Sequence, residues 1–428
     1  VGAALSLAMA AGCSGPEPLR PSGPADVVVE DAIVEWTSSS PGLGMVRYGR
    51  RRGTYDVVAY PYAADREDRR AVSLHRVPLL SAAAGDTLYL VAIDVADDGR
   101  MSAAPEFRTV VGPLPARPAP LRWTMIDVGF GDSHLLTMPG TGRRILIDAG
   151  ERRDAANVLA FLAAEGVHRL DAVVATHIHA DHIGGLVGES WTTADGVLGQ
   201  MEVGAFLEGP GHSGQRSAHD ELLATLSARH VVPTAIEVGD TDASDPALAW
   251  DPAVSVEVLN AGYGRAIGGD TESDWINNDS VVLRIAYGQV EWILGGDAEA
   301  PVQIRLIGSG HPLDSEVLKV HHHGVADASE PAYLDAVRPR VGLIPITTDE
   351  SMSGTLPSGT VLQRLRERRI DVYASDRAEP LGIPARYGIG YNVTVVTDGS
   401  SYEVRVEPSS SRHWPPEAVA AGSTRSAP

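Results

Sequence analysis

Apolar positions along the chain follow two regimes. Between residues 27 and 112 they form short β-rich runs, VVVEDAIVEW, GMVRYGRR, YDVVAYPY, AVSLHRVPL, DTLYLVAIDV and EFRTVVG, parted by Ser-Pro-Gly, Ala-Gly-Asp and Asp-Asp-Gly turns. That spacing predicts a small all-β sandwich. From Leu121 the runs alternate with helix-spaced stretches: LRWTMIDVG, SHLLTMP and RRILIDAG precede DAANVLAFLAAEGV, which closes on Gly166. LDAVVA is a buried-strand run that ends in a polar loop. Beyond it lie VSVEVLNAG, a hairpin in NNDSVVLRIAYGQVEWILGG, the strand EVLKV, a helix at PAYLDAVRP, the strand RVGLIPI and a helix at SGTVLQRLRERR. Strands alternating with helices in this way predict an α/β domain, with its sheets layered as αββα.

The punctuation sets the boundaries. Residues 1–24 are an apolar run of small residues followed by a Pro/Gly/Ser tether, 25–112 the β unit, 113–120 a stiff Pro-rich linker, 121–406 the α/β domain, and 407–428 a Ser/Pro/Ala-rich tail expected to be disordered. VGAALSLAMAAGC is too short to span a bilayer. It looks like the end of a secretory signal, and Ala10-Ala11-Gly12-Cys13 resembles a bacterial lipobox, in which the cysteine is lipidated. The resemblance implies a lipid anchor at Cys13 and a place at the bacterial cell surface or in the periplasm.

Composition narrows the chemistry. A single cysteine excludes a disulfide framework or a thiolate metal cluster within one chain. A formal charge of −21 gives an average field that repels polyanions, which favours a small substrate over a long nucleic acid. No G-x-S-x-G occurs, so no serine nucleophile need be invoked.

The segment THIHADHIGG, residues 176–185, places His177, His179, Asp181 and His182 within six positions directly after a buried strand. Imidazoles and carboxylates suit zinc, manganese or iron. His177 and His179 alternate in an extended loop and can converge on one ion, while Asp181 and His182 can face a second. Packing alone does not explain four such residues at a strand end.

This pattern resembles the metallo-β-lactamase superfamily, most closely the domain of ComEC-type DNA-uptake proteins and their stand-alone relatives. The runs MIDVGFGDSHLL, RRILIDAG, THIHADHIGGL, NNDSVVLRI, WILGGDAE and EVLKVHHHG carry the resemblance. It implies an αββα sandwich with one or two divalent cations, zinc or manganese, at one edge. Asp148 would support the histidine loop through hydrogen bonds, and Asp297 would bridge the ions while also capping a helix. His212 would complete the first ion's shell, with His219 and His230 as weaker candidates in predicted helix. His322 and His323 would face the cleft and assist catalysis together with Asp181 and Asp297. The order of the N-terminal runs resembles a fibronectin type III domain, with its characteristic tyrosine at Tyr89. Its partner is not legible.

Two departures stand out. Relatives present a last-motif histidine where this chain has Leu356, so one of His321, His322 and His323, or Asp349, fills the second shell, or that ion is weakly held. Phe130 stands where relatives have Gln. The resemblance implies a surface-anchored hydrolase of phosphodiester bonds, in nucleic acid or a phosphorylated envelope component, acting through water activated at the metal. The alternative is a binding lipoprotein that keeps the fold after losing turnover.

Overall fold

In the computed structural model, residues 25–62, 72–96, 100–189, 195–346, 356–375 and 391–408 are described. Cys13 and the rest of residues 1–24, Asp349, and the tail beyond Pro408 lie outside them.

Strands covered on both faces must be apolar at consecutive positions, and alternate side chains then serve two different layers. In Arg144–Ile147, Ile145 and Ile147 join the central core while Leu146 faces the outer helices. In Val290–Gly295, Trp292 and Leu294 turn inward and Ile293 outward. This arrangement repeats across two sheets. One runs Pro233–Ala235, Phe206–Glu208, Ala172–Val174, Arg144–Ile147, His134–Thr137, Leu121–Met125, Tyr391–Thr397 and Tyr402–Pro408 in hydrogen-bonded order. The other has six strands: Val254–Asn260, Val282–Tyr287, Val290–Gly295, Val317–Lys319, Val341–Ile344 and Asp371–Ala374. Trp123 and Trp292 meet between them, ring centroids 5.6 Å apart. Helices Ala155–Ala164, Ala180–Val187 and Ser217–Ala228 cover the first sheet, and Ala300–Ser309, Pro331–Val337 and Gly359–Glu367 the second. The expected αββα sandwich is what the chain forms.

The N-terminal strands have a core of their own, built on Val34, Trp36, Tyr48, Val77, Leu88 and Leu90. The long strand Ile33–Gly49 serves both sides of it. Its first half pairs with Ala25–Glu30 and Val72–Pro78, its second with Val57–Ala59 and Thr87–Ala96. Tyr89 lies on Thr87–Ala96, opposite Arg108.

The boundary at the Pro-rich stretch is less open than its composition implies. Val57–Ala59 pairs with Tyr402–Pro408, so the N-terminal strands extend the first sheet of the sandwich. Buried Glu403 accepts hydrogen bonds from Tyr48 Oη (2.6 Å), Leu80 N (3.0 Å) and Ser81 Oγ. Arg117, in the linker, donates to the carbonyls of Leu79 and Asp31. The linker is a fastened strap.

Candidate metal centre

Parallel strands end on the same side of a sheet, so residues just past their C-terminal ends collect there. Ala172–Val174 leads into Thr176 and His177, Arg144–Ile147 into Asp148, Val290–Gly295 into Asp297, and Val317–Lys319 into His321, His322 and His323. These turns meet at one edge of the sandwich.

The histidine loop becomes helical just after His179, whose backbone is extended, with Asp181 in the first turn of Ala180–Val187. Two glycines explain how that helix comes so close. A Cβ at Gly185 would strike the carbonyl of Ala149, and one at Gly184 the backbone of Arg152. Asp148 sits in the left-handed region at φ 55° and holds the loop at three points. Its Oδ1 accepts from Thr176 N (2.8 Å), and its Oδ2 from Thr176 Oγ1 (2.6 Å) and His182 Nδ1 (2.8 Å). That last bond places a proton on Nδ1 and turns Nε2 toward the cavity, as an imidazole ligand requires.

Asp297 is the meeting point. Its Oδ2 lies 3.2 Å from His182 Nε2, 3.5 Å from His323 Nε2, and 3.9 Å from the Nε2 atoms of both His177 and His322. Asp181 Oδ2 stands 3.4 Å from His323 Nε2 and 3.8 Å from His182 Nε2. On the other side, His177 Nε2 and His179 Nδ1 are 3.1 Å apart. Around a cation with bonds of about 2.0–2.2 Å, neighbouring ligand atoms fall roughly 3.3–3.6 Å apart in a tetrahedral shell, so these spacings suit two adjoining sets that share Asp297.

His323 answers the question raised by Leu356. Its Nδ1 donates to the carbonyl of Pro345 (3.0 Å), which leaves Nε2 for the cavity. That buried nitrogen has no hydrogen-bond partner among the described residues, so the donor set fits a cation. Leu356 packs against the outer core of the second sheet instead. The turn that delivers His323 is costly, because His322 and His323 both adopt left-handed backbone, at φ 49° and 51°. Phe130 packs on the His323 ring, centroids 4.7 Å apart.

Other candidates separate from this group. His321 is buried against Tyr333 Oη (3.0 Å), and burial, with Lys319 nearby, lowers it to about 4. His322 is partly exposed, with Nδ1 3.4 Å from Glu299 Oε1. His212 joins Glu208 and His219, a grouping that shares no residue with the one around Asp297. His230 follows Ser217–Ala228 in a left-handed position.

Two residues escaped the sequence reading. Lys319 is buried, with Nζ 2.6 Å from Asp132 Oδ2 and 3.3 Å from Asp297 Oδ1. It is the only lysine in the chain, in an apolar strand run, and that was the available signal. Asp132 stands close enough to His182, Asp297 and His323 to be counted with them, but its short contact to Lys319 marks it as the ammonium's counter-ion. Gly131 lets it approach, since a Cβ there would strike the carbonyl of Asp181.

The electrostatics point to missing positive charge. Four carboxylates, Asp132, Asp148, Asp181 and Asp297, surround the histidines, and the one ammonium, Lys319, reaches only Asp132 and Asp297. Burial alone would lower His323, yet Asp297 and Asp181 push it up to about 9, and the same carboxylates hold His182 well above the ordinary imidazole value. Burial leaves His177 and His179 below theirs. The carboxylates thus favour positive charge at His182 and His323, where a divalent cation would supply it.

Residues 126–347 match the family model described as the metallo-beta-lactamase superfamily. The chain is 24% identical over 269 residues to ComE operon protein 3 of Bacillus subtilis (strain 168), covering 59% of this chain and 31% of that protein. It is 26% identical over 269 residues to competence protein ComA of Neisseria gonorrhoeae, covering 62% and 32%. It therefore spans about a third of the length of either. It is also 26% identical over 221 residues to a UPF0173 metal-dependent hydrolase of Roseiflexus sp. (strain RS-1), covering 50% and 79%. With that match laid over the layered sheets and the cluster at their edge, the chain belongs to the metallo-beta-lactamase superfamily of metal-dependent hydrolases.

Proposed function

We propose that this edge is a hydrolytic centre for phosphodiester bonds, with cations held by His177, His179 and Asp297 on one side and by Asp181, His182, His323 and Asp297 on the other. The supporting observation is the histidine turn, which aims His323 inward and leaves His322 partly exposed beside the same carboxylate. Zinc or manganese bound there would acidify a water molecule and draw charge from a substrate oxygen. The chain's own groups do the rest. Lys319 occupies Asp297 Oδ1, so that Oδ2 faces the cavity. Asp148 keeps His182 in the tautomer with Nε2 free. His322, at the opening, can donate to a phosphoryl oxygen as charge develops on it.

A phosphodiester fits better than a lactam because the likeness to competence proteins extends past the histidine loop. The net charge of −21 favours a small diester or a short end over a long duplex. Hydrolysis of bis-p-nitrophenyl phosphate that depends on added zinc or manganese and is abolished by a chelator is the expected result. Metal-loaded protein that opens a lactam or lactone but leaves the diester intact would overturn the reading.

Tethering through a lipidated Cys13 belongs to the same proposal. No described helix is long and apolar enough to cross a membrane. Labelled palmitate incorporated by the wild-type protein in bacteria and lost on Cys13→Ala supports the anchor. Equal labelling of both rules it out.

A further inference from the structure

Away from the Asp297 cluster, the end of strand Phe206–Glu208 and the first turn of helix Ser217–Ala228 bring three ligating side chains together. His219 Nε2 lies 3.1 Å, and His212 Nε2 3.3 Å, from the same oxygen of Glu208, Oε2. The two imidazole rings are 4.3 Å apart and tilted by 69°, and the ligand atoms of the three side chains all lie within 4.8 Å of one another. All three side chains are mostly shielded, at 12–18% exposure.

We propose that Glu208, His212 and His219 form a second metal site, for a single zinc-like divalent cation, separate from the hydrolytic centre. Two imidazoles and a carboxylate are a borderline-soft donor set that suits zinc or a late first-row ion rather than calcium or magnesium. The spacing agrees, since ligands about 2.0–2.1 Å from a tetrahedral ion lie roughly 3.3–3.4 Å from one another. Three protein ligands leave a further position to water.

The site's place indicates its work. The segment between Glu208 and Ser217 is tied to the rim helix Glu272–Asn278 through Ser213, whose N and Oγ donate to Asp279 at 2.6 and 2.8 Å. Asp279 caps the end of helix Glu272–Asn278, whose Ser273 Oγ reaches His179 Nε2 at 3.3 Å. A cation on Glu208, His212 and His219 clamps this rim at the strand on one side and the helix on the other. His212 therefore serves a cation, though not the one its position in the chain suggests.

The test is a site-by-site zinc count on the full-length protein after dialysis. His219→Gln keeps an amide donor toward Glu208 but replaces a good ligand with a poor one, and Glu208→Gln preserves shape without the charge. Each is expected to lose one zinc equivalent relative to wild type while retaining diester turnover, and His323→Ala to lose a different equivalent together with turnover. A combined His219→Gln/His323→Ala protein should lose both. Unchanged zinc content in His219→Gln and Glu208→Gln, with melting curves showing both folded, overturns the second site and leaves the hydrolytic centre untouched. If either variant unfolds, zinc-edge anomalous diffraction from wild-type crystals decides: a peak among the three side chains is expected, and none refutes the site.

Discussion

Lys319 shows most clearly how one residue can set the centre. Removing its ammonium leaves the buried carboxylates of Asp132 and Asp297 facing the imidazoles of His182 and His323, and breaking a buried pair in this way costs about 3–5 kcal/mol. Lys319→Met is therefore expected to destabilise the metal-free protein by that amount and the zinc-loaded protein by less, because the dication supplies part of the lost charge. Urea melts with and without chelator measure the difference, and an equal loss in both states would argue against it. Leu356→His, which the sequence alone recommends as a repair, should leave turnover unchanged or lower, because Leu356 packs against the outer core and His323 holds the inward position. A gain in activity would contradict that assignment. His177, His179, Asp181, His182, Asp148 and Asp297 could be read from the chain because each belongs to a compact motif that opens at a strand end. Asp132, Lys319 and the choice of His323 could not, since their roles depend on side chains that meet only when two sheets pack.

Among the elements, the turn at 321–323 stores backbone strain, with two consecutive non-glycine residues left-handed at about 1–2 kcal/mol each. His322→Gly should raise stability by about 1 kcal/mol while lowering diester turnover, if the lost ring serves the substrate. Turnover unchanged by this substitution would remove His322 from the reaction. The helix Ala180–Val187 depends on Gly185 to lie against Ala149, so Gly185→Ala should cost about 1–3 kcal/mol in thermal melts. Most strands and the long helices were legible from their periodicity. Short helices such as Gly264–Ile267 and Glu272–Asn278 were not, because four to seven residues are too few to show a period. The latter has a capping box at Thr271, a signal that polar surroundings obscured.

At the scale of the whole molecule, composition separated an N-terminal β unit from the sandwich, whereas hydrogen bonding joins them. Linker composition speaks for an extended, stiff connection and carries no information about an edge strand that finds a partner far along the chain. Glu403 is the joint: Glu403→Ala leaves the donors of Tyr48, Leu80 and Ser81 without their acceptor, at a cost of about 3 kcal/mol. Burial raises the Glu403 carboxyl above the ordinary glutamate range, so the folded state holds a proton that the unfolded state releases. Stability at this position is greatest in acid and falls as pH rises through the raised value, and Glu403→Gln should flatten that fall in melts taken across pH. All of this frames the edge where the two sheets present Asp297. Zinc-edge anomalous diffraction tests that centre most directly. The account predicts density within about 2.0–2.2 Å of Nε2 of both His182 and His323, with Asp181 and Asp297 completing the shell. Density that excludes His323, or none between the two sheets in zinc-soaked crystals, would contradict it.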